Sequence, residues 1–230
     1  MWYWFLVIPV ILFSLLAQVR VKSTFKKYNQ IPTRNGLTGT QAARTILDMN
    51  NLYNVRIEGV SGDLTDHYDP RSNVLRLSDS TRDINSIAAV GVAAHEAGHA
   101  IQDGVNYAPN KIRASLVPAA RIGSAAGPYL AVIGVFISYS AEFGMTLAYI
   151  GLILYVFAFL FYLVTLPVEF NASSRALKIL NVSGILAPDE LKGAKRVLNA
   201  AAMTYVASTV SALFSLLRIA LIVFGGRRRN

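Results

Sequence analysis

The chain has 230 residues, of which 53% are hydrophobic and 15% charged, with 22 Lys plus Arg against 13 Asp plus Glu, a formal +9. Together with a mean hydropathy of +0.42, long stretches free of acids and bases argue against a soluble domain and for a bilayer as solvent. Cysteine is absent, which excludes disulfides, thiolate nucleophiles and Cys-ligated zinc, and any imidazole chemistry must use the three histidines, His67, His95 and His99.

Residues 2–17 form an uncharged apolar run, and the basic cluster Arg20, Lys22, Lys26 and Lys27 follows it. A cleavable signal peptide would carry its positive residues ahead of the run and a small-x-small site behind it, so residues 1–19 are expected to be an uncleaved first transmembrane helix. Residues 20–121 follow as an extramembrane region. Within it, 38–49 places Ala42, Ala43, Ile46 and Leu47 at helical spacing behind a Thr-Gly-Thr start suited to capping. The alternating VRIEGV (55–60) and VLRL (74–77), with Ser-Gly-Asp and Tyr-Asp-Pro-Arg turn chemistry between them, predict a small β-hairpin or meander. Asp66, Asp69 and Asp79 flank these strands without the spacing of a calcium loop and read as turn residues.

A helix is then expected over about 83–102. Its apolar stretch is well short of the ~20 residues a span needs, which suits a buried core helix. It carries His95-Glu96-Ala97-Gly98-His99, the pattern H-E-x-x-H. Residues four apart share one helix face, so two neutral imidazoles can reach one Zn²⁺ while the intervening Glu meets water as a general base.

Residues 122–139 and 145–168 can each cross the bilayer and are joined by a loop too short for anything but a tight hairpin. The segments before and after this hairpin (20–121 and 169–202) therefore lie on the same side. Both are rich in Lys and Arg, whereas the hairpin loop carries only Glu142, so the positive-inside rule puts them in the cytoplasm. Residues 203–224 are a fourth transmembrane or interfacial helix interrupted by Arg218, and the terminal Arg227, Arg228 and Arg229 oppose the rule if that helix spans fully. The excess of basic residues follows from this topology, with no element suited to nucleic acid.

A catalytic zinc takes three protein ligands. Val105 stands where a metzincin has its third ligand, and Asp103, eight residues past His95, is roughly 12 Å away along the axis. His67 remains possible. Glu169 is the best candidate because it follows the hairpin in LPVEFNASSRA and so returns to the side of His95 and His99.

HEAGHAIQ, two hydrophobic helices and then EFNAS resemble the gluzincin arrangement of HtpX-type and CAAX-prenyl membrane proteases. More closely, GLTGTQAARTIL, LTDHYDPRSNVLRLS, AAVGVAAHEAGHAIQ and LPVEFNASSRAL are similar to the YugP-like neutral zinc metallopeptidase family, over most of 36–180. The resemblance implies a mainly α integral membrane protein with about four transmembrane helices and a small α+β zincin-like catalytic region. It further implies one Zn²⁺ per chain held by His95, His99 and Glu169, with Glu96 as the catalytic carboxylate. HtpX-type enzymes have an Asp where this chain has Ser173, so a hydroxyl contact to a ligating His is expected in its place. Gluzincins stabilise the oxyanion with His, Tyr or Arg, and His67, Arg175 and Tyr107 are the side chains of those types. VLRLS suits either pairing with a substrate strand or an ordinary core strand.

The expected function is a membrane zinc metalloendopeptidase acting on membrane or membrane-proximal proteins from the cytoplasmic side. The alternatives are an intramembrane site-2-type protease and a non-catalytic zinc-binding scaffold. Oligomeric state is not encoded in any of these features.

Overall fold

The computed structural model describes the backbone of residues 2–226 and the side chains of 7–225. The Arg227–Arg229 expectation lies outside the described residues. Six helices and three strands run in the order α1 (Trp2–Asn29), α2 (Gly39–Met49), β1 (Arg56–Val60), β2 (His67–Asp69), β3 (Val74–Ser78), α3 (Ile87–Gly104), α4 (Ala108–Ile137), α5 (Phe143–Val182) and α6 (Pro188–Gly226). This is a mainly α membrane protein with a small sheet. Among the described residues four helices are long and apolar enough to cross a bilayer, namely α1, α4, α5 and α6.

These helices run past the apolar segments seen in the sequence. α4 begins at Ala108, ahead of the expected span at 122, and includes Lys111, Arg113 and Arg121. α5 continues through Pro167 and carries Glu169 without a break, so the expected separate return helix is the last part of α5. α6 likewise joins the helix after the return segment to the fourth apolar run. A helix ends where its hydrogen-bond ladder is capped, and a change from apolar to polar side chains does not cap it.

The chain divides into two compact units, one taking its described residues from Met1–Leu15, Ala108–Pro167 and Tyr205–Asn230, the other from Leu16–Tyr107 and Val168–Thr204. In the first unit, α4 and α5 form the expected hairpin along a seam of small residues. A Cβ at Gly127 would stand 2.9 Å from the Gly151 carbonyl oxygen, and Ala131, Ala148 and Ala158 are fully buried. Such seams let helices approach where lipid supplies no hydrophobic driving force. Ile219 and Val223 of α6 pack on that seam, while Tyr129, Ile153, Phe136 and Leu221 point outward, as lipid-facing side chains do.

In the second unit α2 starts with a capping box, the Thr38 hydroxyl accepting from the Gln41 N–H while the Gln41 side chain accepts from the Thr38 N–H. Its buried residues include Ala42, Ala43, Ile46 and Leu47, the stripe read from the sequence. α3 starts at Ile87, four residues later than expected, because Ser86 caps it by accepting from the Ala89 N–H at 3.1 Å.

The sheet corrects the hairpin expectation. Its order is β1-β3-β2, with β1 parallel to β3 and β2 antiparallel to β3. Each of the two turn segments reverses the chain, and the three-residue β2 between them makes the third segment run in the direction of the first. β3 is therefore the central strand, with Val74, Leu75 and Leu77 fully buried, and VLRLS has no edge to offer a substrate. The strand-flanking carboxylates bind the loops. Asp66 accepts from the Ser78 N–H and hydroxyl, both at 2.8 Å, Asp69 from the Arg71 N–H at 3.0 Å, and Asp79 from the Gly62 N–H at 3.0 Å.

Candidate metal centre

The centre lies wholly within the second unit, where α3 supplies His95, Glu96 and His99 and the end of α5 supplies Glu169. Most of α3 is buried, including Ala89, Ala93, Ala97 and Ala100, so small side chains on every face let neighbouring backbones close in around the two imidazoles. Gly98 marks the tightest approach. A Cβ there would lie 2.7 Å from the Ala172 carbonyl oxygen of α5.

That approach delivers Glu169 to the histidines. His95 Nε2 is 3.3 Å and His99 Nε2 3.5 Å from Glu169 Oε2, and the two rings meet edge to face with centroids 4.7 Å apart. One ligand atom from each of the three residues lies within 4.8 Å of the others. Donor atoms about 2.0–2.1 Å from a tetrahedral zinc stand roughly 3.4 Å from one another, and two of the three separations match that edge. Two imidazoles and one carboxylate are also a zinc donor set, so the residues fit the metal. Glu169 is buried, its side chain 4% exposed.

The other ring nitrogens are engaged by the protein. His99 Nδ1 is 3.0 Å from Gln102 Oε1, and His95 Nδ1 is 3.1 Å from the Ser173 hydroxyl. The second contact is the hydroxyl expected where HtpX-type enzymes carry a carboxylate. Both contacts leave the rings oriented with Nε2 toward Glu169.

Glu96 is buried and stands between the two histidines in sequence, and its Oε2 accepts a hydrogen bond from the Tyr68 N–H of β2 at 3.1 Å. Burial pushes its carboxyl up to about 7, against the opposing pull of His95. The Tyr68 hydroxyl lies 2.9 Å from Asn73 Oδ1 and 3.1 Å from Asp103 Oδ2, its one hydrogen shared between them, which ties β2 to the end of α3. Burial first, and then Asp103, raise that phenol.

His67 is not brought to the cluster. It is exposed on β2, its Nδ1 2.8 Å from the Thr65 carbonyl oxygen, and strand alternation points it to the face opposite Tyr68. Arg175 and Tyr107 are brought together, the guanidinium 6.0 Å from the ring centroid, and Arg175 Nε donates to Asn171 Oδ1 at 2.7 Å. Sequence reasoning missed Gln102, Asn171 and Tyr68. Gln102 was within reach of it, since three positions past His99 is the same helix face.

The family described as "Putative neutral zinc metallopeptidase" matches residues 3–224. "Putative membrane protease YugP" of Bacillus subtilis (strain 168) is 43% identical over 226 residues, 98% of this chain and 98% of that protein. No solved structure matches. A family match over nearly the whole chain, joined to a two-histidine, one-carboxylate cluster that could hold a metal ion, makes this chain a member of the "Putative neutral zinc metallopeptidase" family.

Proposed function

We propose that the protein is a gluzincin-type membrane metalloendopeptidase, with His95, His99 and Glu169 holding one zinc per chain and Glu96 acting as general base and acid. The observation that carries the reading is the convergence of both His Nε2 atoms on Glu169 Oε2 at 3.3 and 3.5 Å, with Glu96 set between the histidines in the H-E-x-x-H order. Zinc held there would supply Lewis-acid polarisation of the scissile carbonyl and acidification of water. Glu96 takes the proton of the attacking water and returns it to the leaving amine. The Tyr68 N–H holds the carboxylate through Oε2.

An intramembrane site-2-type reading has less support, because α3 is not among the four helices apolar and long enough to span. The basic segments on either side of the hairpin favour a cytoplasmic active site in the cell membrane, and that location favours membrane or membrane-proximal protein substrates. The test is zinc content and peptide hydrolysis of the detergent-purified protein, comparing wild type with Glu96→Gln. Zinc in both with hydrolysis in wild type alone supports the reading, and no zinc in the wild type overturns it.

A further inference from the structure

Behind His99 lies a set of hydrogen bonds that the proposed hydrolysis does not use. Gln102 is fully buried, and each of its polar atoms has a partner. Its Oε1 faces His99 Nδ1 at 3.0 Å, and its Nε2 donates to the Val168 carbonyl oxygen at 2.8 Å and to Asn171 Oδ1 at 3.0 Å. Asn171 Oδ1 accepts a second bond, from Arg175 Nε at 2.7 Å.

This arrangement has one consistent reading. An amide NH₂ has two hydrogens, and here two acceptors stand in front of it. Rotating the amide by half a turn would set its oxygen against the Val168 and Asn171 oxygens, three acceptors together in a buried space with no hydrogen between them. The Asn171 amide is oriented in the same way, since a guanidinium N–H can only donate. Gln102 therefore presents an oxygen to His99, which answers with Nδ1–H, so that the neutral ring carries its lone pair on Nε2. His95 differs. Its partner, the Ser173 hydroxyl, can either donate or accept, so that pair does not dictate a tautomer.

We propose that Gln102 is a positioning residue for His99, held in orientation by Asn171 and Arg175 on α5, so that His99 presents Nε2 before any metal arrives while His95 adapts as the metal binds. The two helices that bring the ligands together are thus also joined by the bonds that prepare one of them. The proposal rests on the reading of His99 as a zinc ligand.

The experiment measures zinc affinity of the full chain in detergent by competition with a chromophoric chelator, and the visible absorption of the Co²⁺-loaded protein. Gln102→Met keeps the volume and removes the acceptor. Gln102→Glu keeps an acceptor at His99 Nδ1 but, when protonated, offers a single hydrogen to the Val168 and Asn171 oxygens. Expected are a 10–100-fold loss of zinc affinity with altered Co²⁺ bands in Gln102→Met, the usual range for losing a partner behind a ligand, and a partial recovery of both in Gln102→Glu at a pH where its carboxyl is protonated. Wild-type affinity and bands in Gln102→Met would overturn the proposal. Where Gln102→Met fails to fold, Asn171→Leu serves, since it removes one of the two acceptors that hold the amide and keeps the Val168 carbonyl; a smaller loss of zinc affinity is expected, and wild-type affinity and spectrum in that variant would overturn the role given to Asn171 in holding Gln102. His99→Ala separates the two readings. Retained zinc there removes His99 from the ligand set, whereas lost zinc there with wild-type behaviour in Gln102→Met removes only the role of Gln102.

Discussion

Gly98 of α3 lies directly against the backbone of Ala172 in α5, so that a methyl group at Gly98 would meet the Ala172 carbonyl oxygen at 2.7 Å, its carbon at 3.2 Å and its Cα at 3.3 Å. Backbone atoms in a helix cannot swing aside as a long side chain would. Gly98→Ala should therefore push α3 from α5, costing about 1–3 kcal/mol of stability, and should move Glu169 away from the histidines. Thermal unfolding in detergent and zinc content should both fall; an unchanged melting temperature would show that the helices can separate at no cost.

Glu96→Gln keeps the shape of the side chain and its hydrogen bond from Tyr68 while removing the base. Zinc content should stay at the wild-type level and peptide hydrolysis should drop by about 10²–10⁴-fold, the usual contribution of a positioned proton acceptor. Full hydrolysis by this variant would move the base elsewhere.

Glu169→Ala leaves two imidazoles and a hole where the third donor stood. Elemental analysis should find zinc largely lost, as it should after treatment of the wild type with a strong chelator, and hydrolysis should return to the chelated wild type alone when zinc is added back. Full occupancy in Glu169→Ala would assign the third ligand to another residue.

The distribution of Lys and Arg predicts the side on which the cluster works. A reporter inserted after Lys27 should read as cytoplasmic in cells. An external signal would invert the orientation for Arg20, Lys22 and the basic residues after the hairpin alike.

The helical parts of this molecule were the most legible. Apolar runs announce spans by length alone, and Ala42, Ala43, Ile46 and Leu47 announce α2 by period. His95 and His99 were visible because ligand spacing on a helix is local. Glu169 was reachable because a hairpin of two spans must return the chain to its starting side. The sheet was less legible, because pairing between β1 and β3 is a long-range choice, and the short β2 gives little period to read. His67 shows the same limit at the site. Its residue type suited the chemistry, but side-chain direction in a three-residue strand depends on a register that only the folded chain reveals.

The second unit is discontinuous, built from Leu16–Tyr107 and Val168–Thr204 with the α4–α5 hairpin threaded between, so that Gln102 and Asn171 meet across 69 positions of chain. During synthesis the histidine helix emerges first, and its third donor arrives only after two hydrophobic helices have been made. A nascent or truncated chain ending before Val168 carries the H-E-x-x-H motif and lacks Glu169, Asn171 and Ser173 altogether. The cluster of His95, His99 and Glu169 therefore cannot be assembled until the hairpin has been made.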